Sequence, residues 1–223
     1  MHSTDPAAYV IRSFRRGDRR AVRDICVKCS WLGDYRPDRI MDDWIWAEYW
    51  TRYFTDREPR HTWIVERRAD GAAVGYLTGT ADASRVERYA PFLFPGIVRR
   101  AIRRRLVRRR ESRRAVLAML RSLVRGELSL PAGVKRRFPA TFHLNLLPEA
   151  RGMGMGSGLF DVFIERMAPL GVPGVHAQPM SINPAMPKFL AGRGFRMIGS
   201  HPLTAFAFAD PQPIDLQTWV RVL

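Results

Sequence analysis

The chain reads as an α/β fold, and three stretches predict it. The first is 141–158, TFHLNLLPEARGMGMGSG, where a β-prone apolar run meets Pro148 and four glycines. Leu159, Phe160, Phe163, Ile164 and Met167 then recur at helical spacing, so the order is strand, turn, helix. The second is 61–67 and 72–80, two strands joined by the hairpin dipeptide Asp70-Gly71. The third is the N-terminal region, where a strand at 9–14 precedes a helix with Ala21, Val22, Ile25, Cys26 and Cys29 as its buried stripe.

At 223 residues, with 46% hydrophobic and 26% charged, one large domain spanning 1–223 with a sizeable core is expected. No stretch approaches the roughly 18 apolar residues of a membrane span, and the N-terminus lacks an apolar signal core. A cytoplasmic protein is expected. Cys26 and Cys29 form a lone CxxC without a second pair or a nearby histidine, so they read as packing residues, and no metal is expected. The formal charge of +16 rests on 37 basic residues, only three of them lysine, and favours anionic partners.

Gly152, Gly154, Gly156 and Gly158 let the backbone adopt unusual dihedrals and lie flush against a ligand. A helix starting near Gly154 would aim free N–H groups and its positive dipole end into this loop, which suits a phosphate. The loop is not a P-loop, because no Gly-Lys-Ser/Thr follows. A dinucleotide GxGxxG also fits poorly, since no acidic residue closes a strand about twenty positions on.

Arg151-x-x-Gly154-x-Gly156 resembles the Arg/Gln-x-x-Gly-x-Gly/Ala signature of the GNAT acyltransferase superfamily. Asn183-Pro-Ala-Met-Pro-Lys-Phe-Leu-Ala-Gly-Arg-Gly194-Phe195 resembles its second signature, and the regions around Ile11-Arg12 and 75–80 resemble its first and third strands. FHLNLLPEARGMG and Gly174-Val175-His176 are most similar to bacterial members related to the acetyltransferase-like domain of O-GlcNAcases. The resemblance implies a central mixed, mostly antiparallel twisted sheet flanked by helices; the basic segment 85–137, which it does not cover, is expected as a helical insert between the third and fourth strands. It also implies acetyl-CoA as co-substrate. Backbone groups of Leu146 and Leu147 would align the pantetheine arm, and Arg151, Gly152, Met153, Gly154, Met155, Gly156 and Ser157 would hold the pyrophosphate. Asn183 would touch the coenzyme arm or cap a helix.

In chain order, Asp18 is expected to cap the first helix, which Trp31 and Gly33 close. The 38–54 segment is a second helix carrying Trp44, Trp46, Tyr49, Trp50, Tyr53 and Phe54, read as core and lid packing or as an apolar wall of the acceptor pocket. Asp82 is a turn or helix cap, or a catalytic group near the mouth of the cleft. One or two helices are expected in 85–137, with ten arginines between 99 and 114 and Ile97, Ile102, Leu106 and Val107 among them. That run reads as a polyanion or membrane-surface patch, as a sequence-blind nucleic-acid contact, or as a solvated face. His176, on a strand at 174–178, reads as a core residue. Ser181 or Asn183 caps the following helix, Gly192 and Gly194 end it, and 203–209 and 217–223 are the last strands.

The reaction implied is attack of a primary amine on a thioester, and such an amine, with a pKa near 10.4, must shed a proton. His143 is the first candidate base, because its reference pKa is near neutrality and some family members use a histidine on this strand. Asp82 is the second. Many family enzymes carry a tyrosine proton donor seven residues after the second-signature asparagine; here that place is Leu190, and water or Ser181 would substitute. The expected partners are acetyl-CoA, a small-molecule or peptide amine, a polyanion or membrane surface along 99–114, and a second copy in a homodimer. The alternatives are a non-catalytic acyl-CoA-binding module and a basic polyanion-interacting protein.

Overall fold

A computed structural model of the chain describes residues 5–40, 42–108, 110–208 and 212–223, and the side chains of 107 and 111 also fall outside the description. Arg109 and the Val107 side chain of the basic run, and Ala209 at the end of an expected strand, therefore lie outside the described residues.

The strands are β1 (Tyr9–Ser13), β2 (Thr62–Arg67), β3 (Ala73–Thr80), β4 (Ala140–Leu146), β5 (Gly174–Ala177), β6 (Arg196–Pro202) and β7 (Asp215–Val222). They form one sheet of order β1-β2-β3-β4-β5-β7-β6, and every neighbouring pair is antiparallel except β4 with β5. Helix α1 (Arg19–Lys28) and α2 (Asp43–Arg57) lie between β1 and β2, while α7 (Met155–Met167) connects β4 to β5 and α8 (Ala185–Gly192) precedes β6. Between β3 and β4 stand α3 (Ala83–Tyr89), α4 (Phe94–Arg103), α5 (Arg110–Val124) and the single turn α6 (Val134–Arg137).

The middle strands are apolar on both faces because both faces are covered. Ile64 of β2 and Tyr76 of β3 pack under Val22, Ile25 and Cys26 of α1. Their neighbours Val65 and Leu77 turn to the other side, against Leu159, Phe160, Phe163 and Met167 of α7. Gly79 is required by that second contact, since a Cβ there would overlap the Phe163 ring and lie 3.2 Å from the Thr141 carbonyl. Gly79→Ala is expected to lower stability by about 1–3 kcal/mol through overpacking, read as a lower urea midpoint with an unchanged m-value.

Four expectations are corrected. The second helix begins at Asp43, not 38: Pro37–Arg39 is a separate 3₁₀ turn, and Asp42 caps α2 by accepting from the N–H groups of Trp44 and Ile45. The side-chain cap expected from Asp18 is not made, because its carboxylate accepts from the Arg12 guanidinium at 2.7 and 2.8 Å and from the Arg15 N–H at 2.7 Å. Among the described residues the insert holds four α-helices, α3 to α6, rather than one or two. The penultimate strand is 196–202, not 203–209; β6 is an edge strand with a register shift between Met197 and Gly199, so it lacks the apolar alternation that marks covered strands. Leu203 and Ala205 instead pack into a small core with Trp31.

Candidate coenzyme and acceptor site

The site is built where β4 and β5 part. Their pairing consists of Ala140 with Val175 and Thr141 with His176, and beyond Thr141 the edge of β4 that faces β5 has no strand partner among the described residues. Parity decides which groups reach that opening. The Leu147 N–H donates to Val74 on β3, so odd-numbered residues turn their backbone to β3, and Leu144 and Leu146 turn theirs to the gap. Leu147 is therefore removed from the expected set: its N–H is held by Val74, and its carbonyl accepts from the Ala150 N–H. The Leu146 carbonyl already accepts from Arg151 Nε at 3.0 Å and faces Cys29 Sγ at 3.5 Å.

After β4 the chain makes a 3₁₀ turn and enters the glycine loop. Gly152 and Gly154 have φ of +73° and +74°, a region closed to most L-residues, and Gly154 forms the N-cap of α7. Met153 and Met155 pack against the core, which pins the loop while its glycines stay open. Among the described residues no protein acceptor meets the N–H groups of residues 152–157; the first closed bond runs from the Gly158 N–H to the Gly154 carbonyl. Six consecutive donors at the positive end of a 13-residue helix make an anion cradle.

Arg151 does not belong to the cradle. Its guanidinium turns back to the Leu146 carbonyl, the Gly33 carbonyl and, at 3.7 Å, the Asp34 carboxylate. It is a clamp tying the α1–α2 loop, strained at Leu32 with φ of 53°, to the end of β4. Asn183 takes the capping role: its side-chain oxygen accepts from the Ala185 and Met186 N–H groups at 3.1 and 3.2 Å, leaving its amide NH₂ for a ligand.

On β4, Phe142, Leu144 and Leu146 face α7, so His143 and Asn145 face the α1–α2 side. There the His143 ring stacks on Trp50, with centroids 5.1 Å apart at 23°, and Nδ1 lies 3.2 Å from the Tyr76 hydroxyl. Asn145 donates to the same hydroxyl at 2.9 Å. Burial lowers the His143 pKa to about 4, so the ring is neutral at pH 7. Its tautomer is set through Tyr76. Because that oxygen accepts from Asn145, it either donates its own proton to His143 Nδ1 or accepts from an Nδ1–H. Only the second arrangement leaves Nε2 as a lone-pair base. Burial pushes the Cys26 thiol up to about 12 and raises Cys29 as well, so both remain protonated, as packing residues would.

Asp82 does not join His143. Thr78 is the residue opposite His143, and Asp82 lies four positions further on, accepting from the Ser84 N–H at the start of α3 and pairing with Arg85 and Arg88. The catalytic reading of Asp82 is corrected to a helix cap. Ser181 is likewise engaged, its hydroxyl accepting from the Asp215 N–H. His176 is a core residue, with Nδ1 2.6 Å from the Phe138 carbonyl. Leu190 is fully buried in the main core. Among the described residues no cluster of three His, Cys, Asp or Glu could hold a metal. The sequence reading offered Trp50 only as one of several aromatics of a possible acceptor wall and missed the partners Tyr76 and Asn145, although Asn145, two positions after His143, shares its face by strand parity.

No family model matches the chain. Among solved structures, a protein called SsHAT superposes with a TM-score of 0.69 at 24% identity, covering 96% of this chain and 98% of that one. A GCN5-related N-acetyltransferase from Kribbella flavida gives 0.59 at 18%, covering 98% and 100%. The protein yncA of Salmonella typhimurium, whose structure contains its cofactor acetyl-CoA, gives 0.55 at 15%, covering 97% and 94%. The fold is the GNAT fold. Within it, the glycine loop opening α7 is the feature the sequence resemblance had singled out, and the basic helical insert lies between the third and fourth strands as expected.

Proposed function

We propose that this chain transfers an acetyl group from acetyl-CoA to the nitrogen of a primary amine. The observation that carries the proposal is the row of six uncommitted N–H groups at 152–157, beside a strand edge left open by the splay of β4 and β5. Gly152, Met153, Gly154, Met155, Gly156 and Ser157 hold the diphosphate; the backbone of Leu144 and Leu146 aligns the pantetheine arm, and the free amide of Asn183 stands at its flank. Acetyl-CoA supplies the activated acyl group. The amine nitrogen forms the new C–N bond, the C–S bond breaks, and the amine proton passes to Nε2 of His143. Leu190 offers no proton, so the sulfur leaves on its own acidity, a thiol pKa of about 8.5. Trp50, Trp46 and Phe206, in ring contact with one another or with His143, form the acceptor wall. The stretches 142–154 and 174–176 support a place in the branch related to the O-GlcNAcase acetyltransferase-like domain. Two free cysteines suit the cytoplasm, where thiols stay reduced.

The test is release of free thiol from acetyl-CoA in the presence of a panel of small amines and lysine-containing peptides. Release above the buffer rate with at least one acceptor is expected, and none with any acceptor would refute transfer. The burial of Leu190 favours one competing reading, a non-catalytic acyl-CoA module. Saturable coenzyme binding in calorimetry without thiol release would establish that reading instead.

A further inference from the structure

Helix α4 presents an unusual face to water. Phe94, Val98 and Ile102, at i, i+4 and i+8, are 59%, 52% and 65% exposed, and Phe92 just before them is 71% exposed. Arg99 and Arg103 border this ridge, while Ile97 and Ala101 turn partly inward. Of the three arginines in α4, only Arg100 reaches a carboxylate among the described residues, Asp42 at 3.1 Å. Helix α5 inverts the usual order: it buries Ser112, Ala115 and Ser122 and exposes Leu117, Leu120, Leu123 and Val124. Nine of the sixteen large apolar side chains exposed among the described residues fall in 92–124, so the exposure is concentrated in one stretch of the chain.

From this we infer that α4 and α5 dock the protein on an anionic phospholipid surface. The arginines alone would suit any polyanion, but a duplex keeps its base faces stacked away from Phe92 and Phe94, and neither duplex nor single strand offers an apolar phase to Val98 and Ile102. A second copy would bring the same uncompensated arginines face to face. A bilayer rich in anionic lipid satisfies both halves of the surface, with aliphatic and phenyl groups entering the headgroup boundary and arginines meeting phosphates. Among the described residues no helix is long and apolar enough to cross a membrane, and α4, ten residues or about 15 Å long, would lie in the plane of the interface.

The experiment is co-sedimentation of the full chain with vesicles of phosphatidylcholine, with and without phosphatidylglycerol. Binding is expected with the anionic vesicles and only weakly with the neutral ones. Joint Val98→Asp and Ile102→Asp is expected to lower partitioning at least about tenfold with an unchanged melting midpoint. Joint Arg99→Glu and Arg103→Glu is expected to lower it by at least about thirtyfold. Phe94→Trp, a change at an exposed site, keeps the test open should the paired variants misfold, and its emission is expected to shift to the blue on anionic vesicles. Three results would overturn the proposal: no blue shift; vesicle binding indifferent to the aspartates, with equal affinity for duplex DNA; or a vesicle-free dimer that the same aspartates dissolve.

Discussion

Gly154→Asp is expected to weaken acetyl-CoA binding by at least about a hundredfold while leaving a folded protein. A Cβ at this position meets no heavy atom within 4 Å, so the side chain has room. The damage comes from charge: a carboxylate about 5 Å from a diphosphate costs about 3 kcal/mol per unit charge at an effective dielectric of 20. Its φ of +74° adds about 1–2 kcal/mol of backbone strain for any L-residue. Gly154→Ala carries the same strain without the charge, so the difference between the two variants in calorimetry isolates the electrostatic part. Equal affinities for the two would show that no phosphate lies at the start of α7.

His143→Ala is expected to lower kcat about a hundredfold, within the range of general-base catalysis, with the KM for acetyl-CoA nearly unchanged. A fall in coenzyme affinity alone would assign His143 to packing under Trp50. The same residue has a signature in stability. The unfolded chain protonates His143 below about 6.5, whereas the folded chain does so only near 4. Protons therefore favour unfolding between these values, and stability falls by up to about 1.4 kcal/mol per pH unit as pH drops through that window. Above pH 6.5 the group contributes no pH dependence. The difference between wild type and His143→Ala, followed by urea melts from pH 8 to 4, reads the contribution directly. A flat difference across the window would mean that the imidazole is freely solvated.

The glycine loop was legible before any coordinates because its geometry is local. A positive φ, a missing Cβ and the free donors of a helix start are properties of adjacent residues, and 152–157 form the turn and helix start that those properties predict. Arg151 shows the limit. It opens the motif on which the sequence resemblance rests, yet its guanidinium is held by the carbonyl of Gly33, 118 positions away. Asp82 could be read as a cap or as a catalyst, and the register of β3 on β4 decided it by placing Thr78 opposite His143. The arginine run showed its apolar spacing plainly, but spacing defines a stripe without saying which side meets the protein, and in α5 the leucines face outward.

By itself the sequence determined the fold class, the run of strands up to β5, and an anion cradle at the head of α7, because backbone preference and apolar periodicity act over a few residues. Tertiary structure alone decided that His143 is neutral, stacked on Trp50 and linked to Asn145 through Tyr76, that Leu147 and Arg151 are occupied with the scaffold, and that the basic insert turns much of its apolar side to solvent. Those outcomes depend on which distant segments share a volume and on how much water is left beside each polar group, and neither is a property of any single stretch of chain.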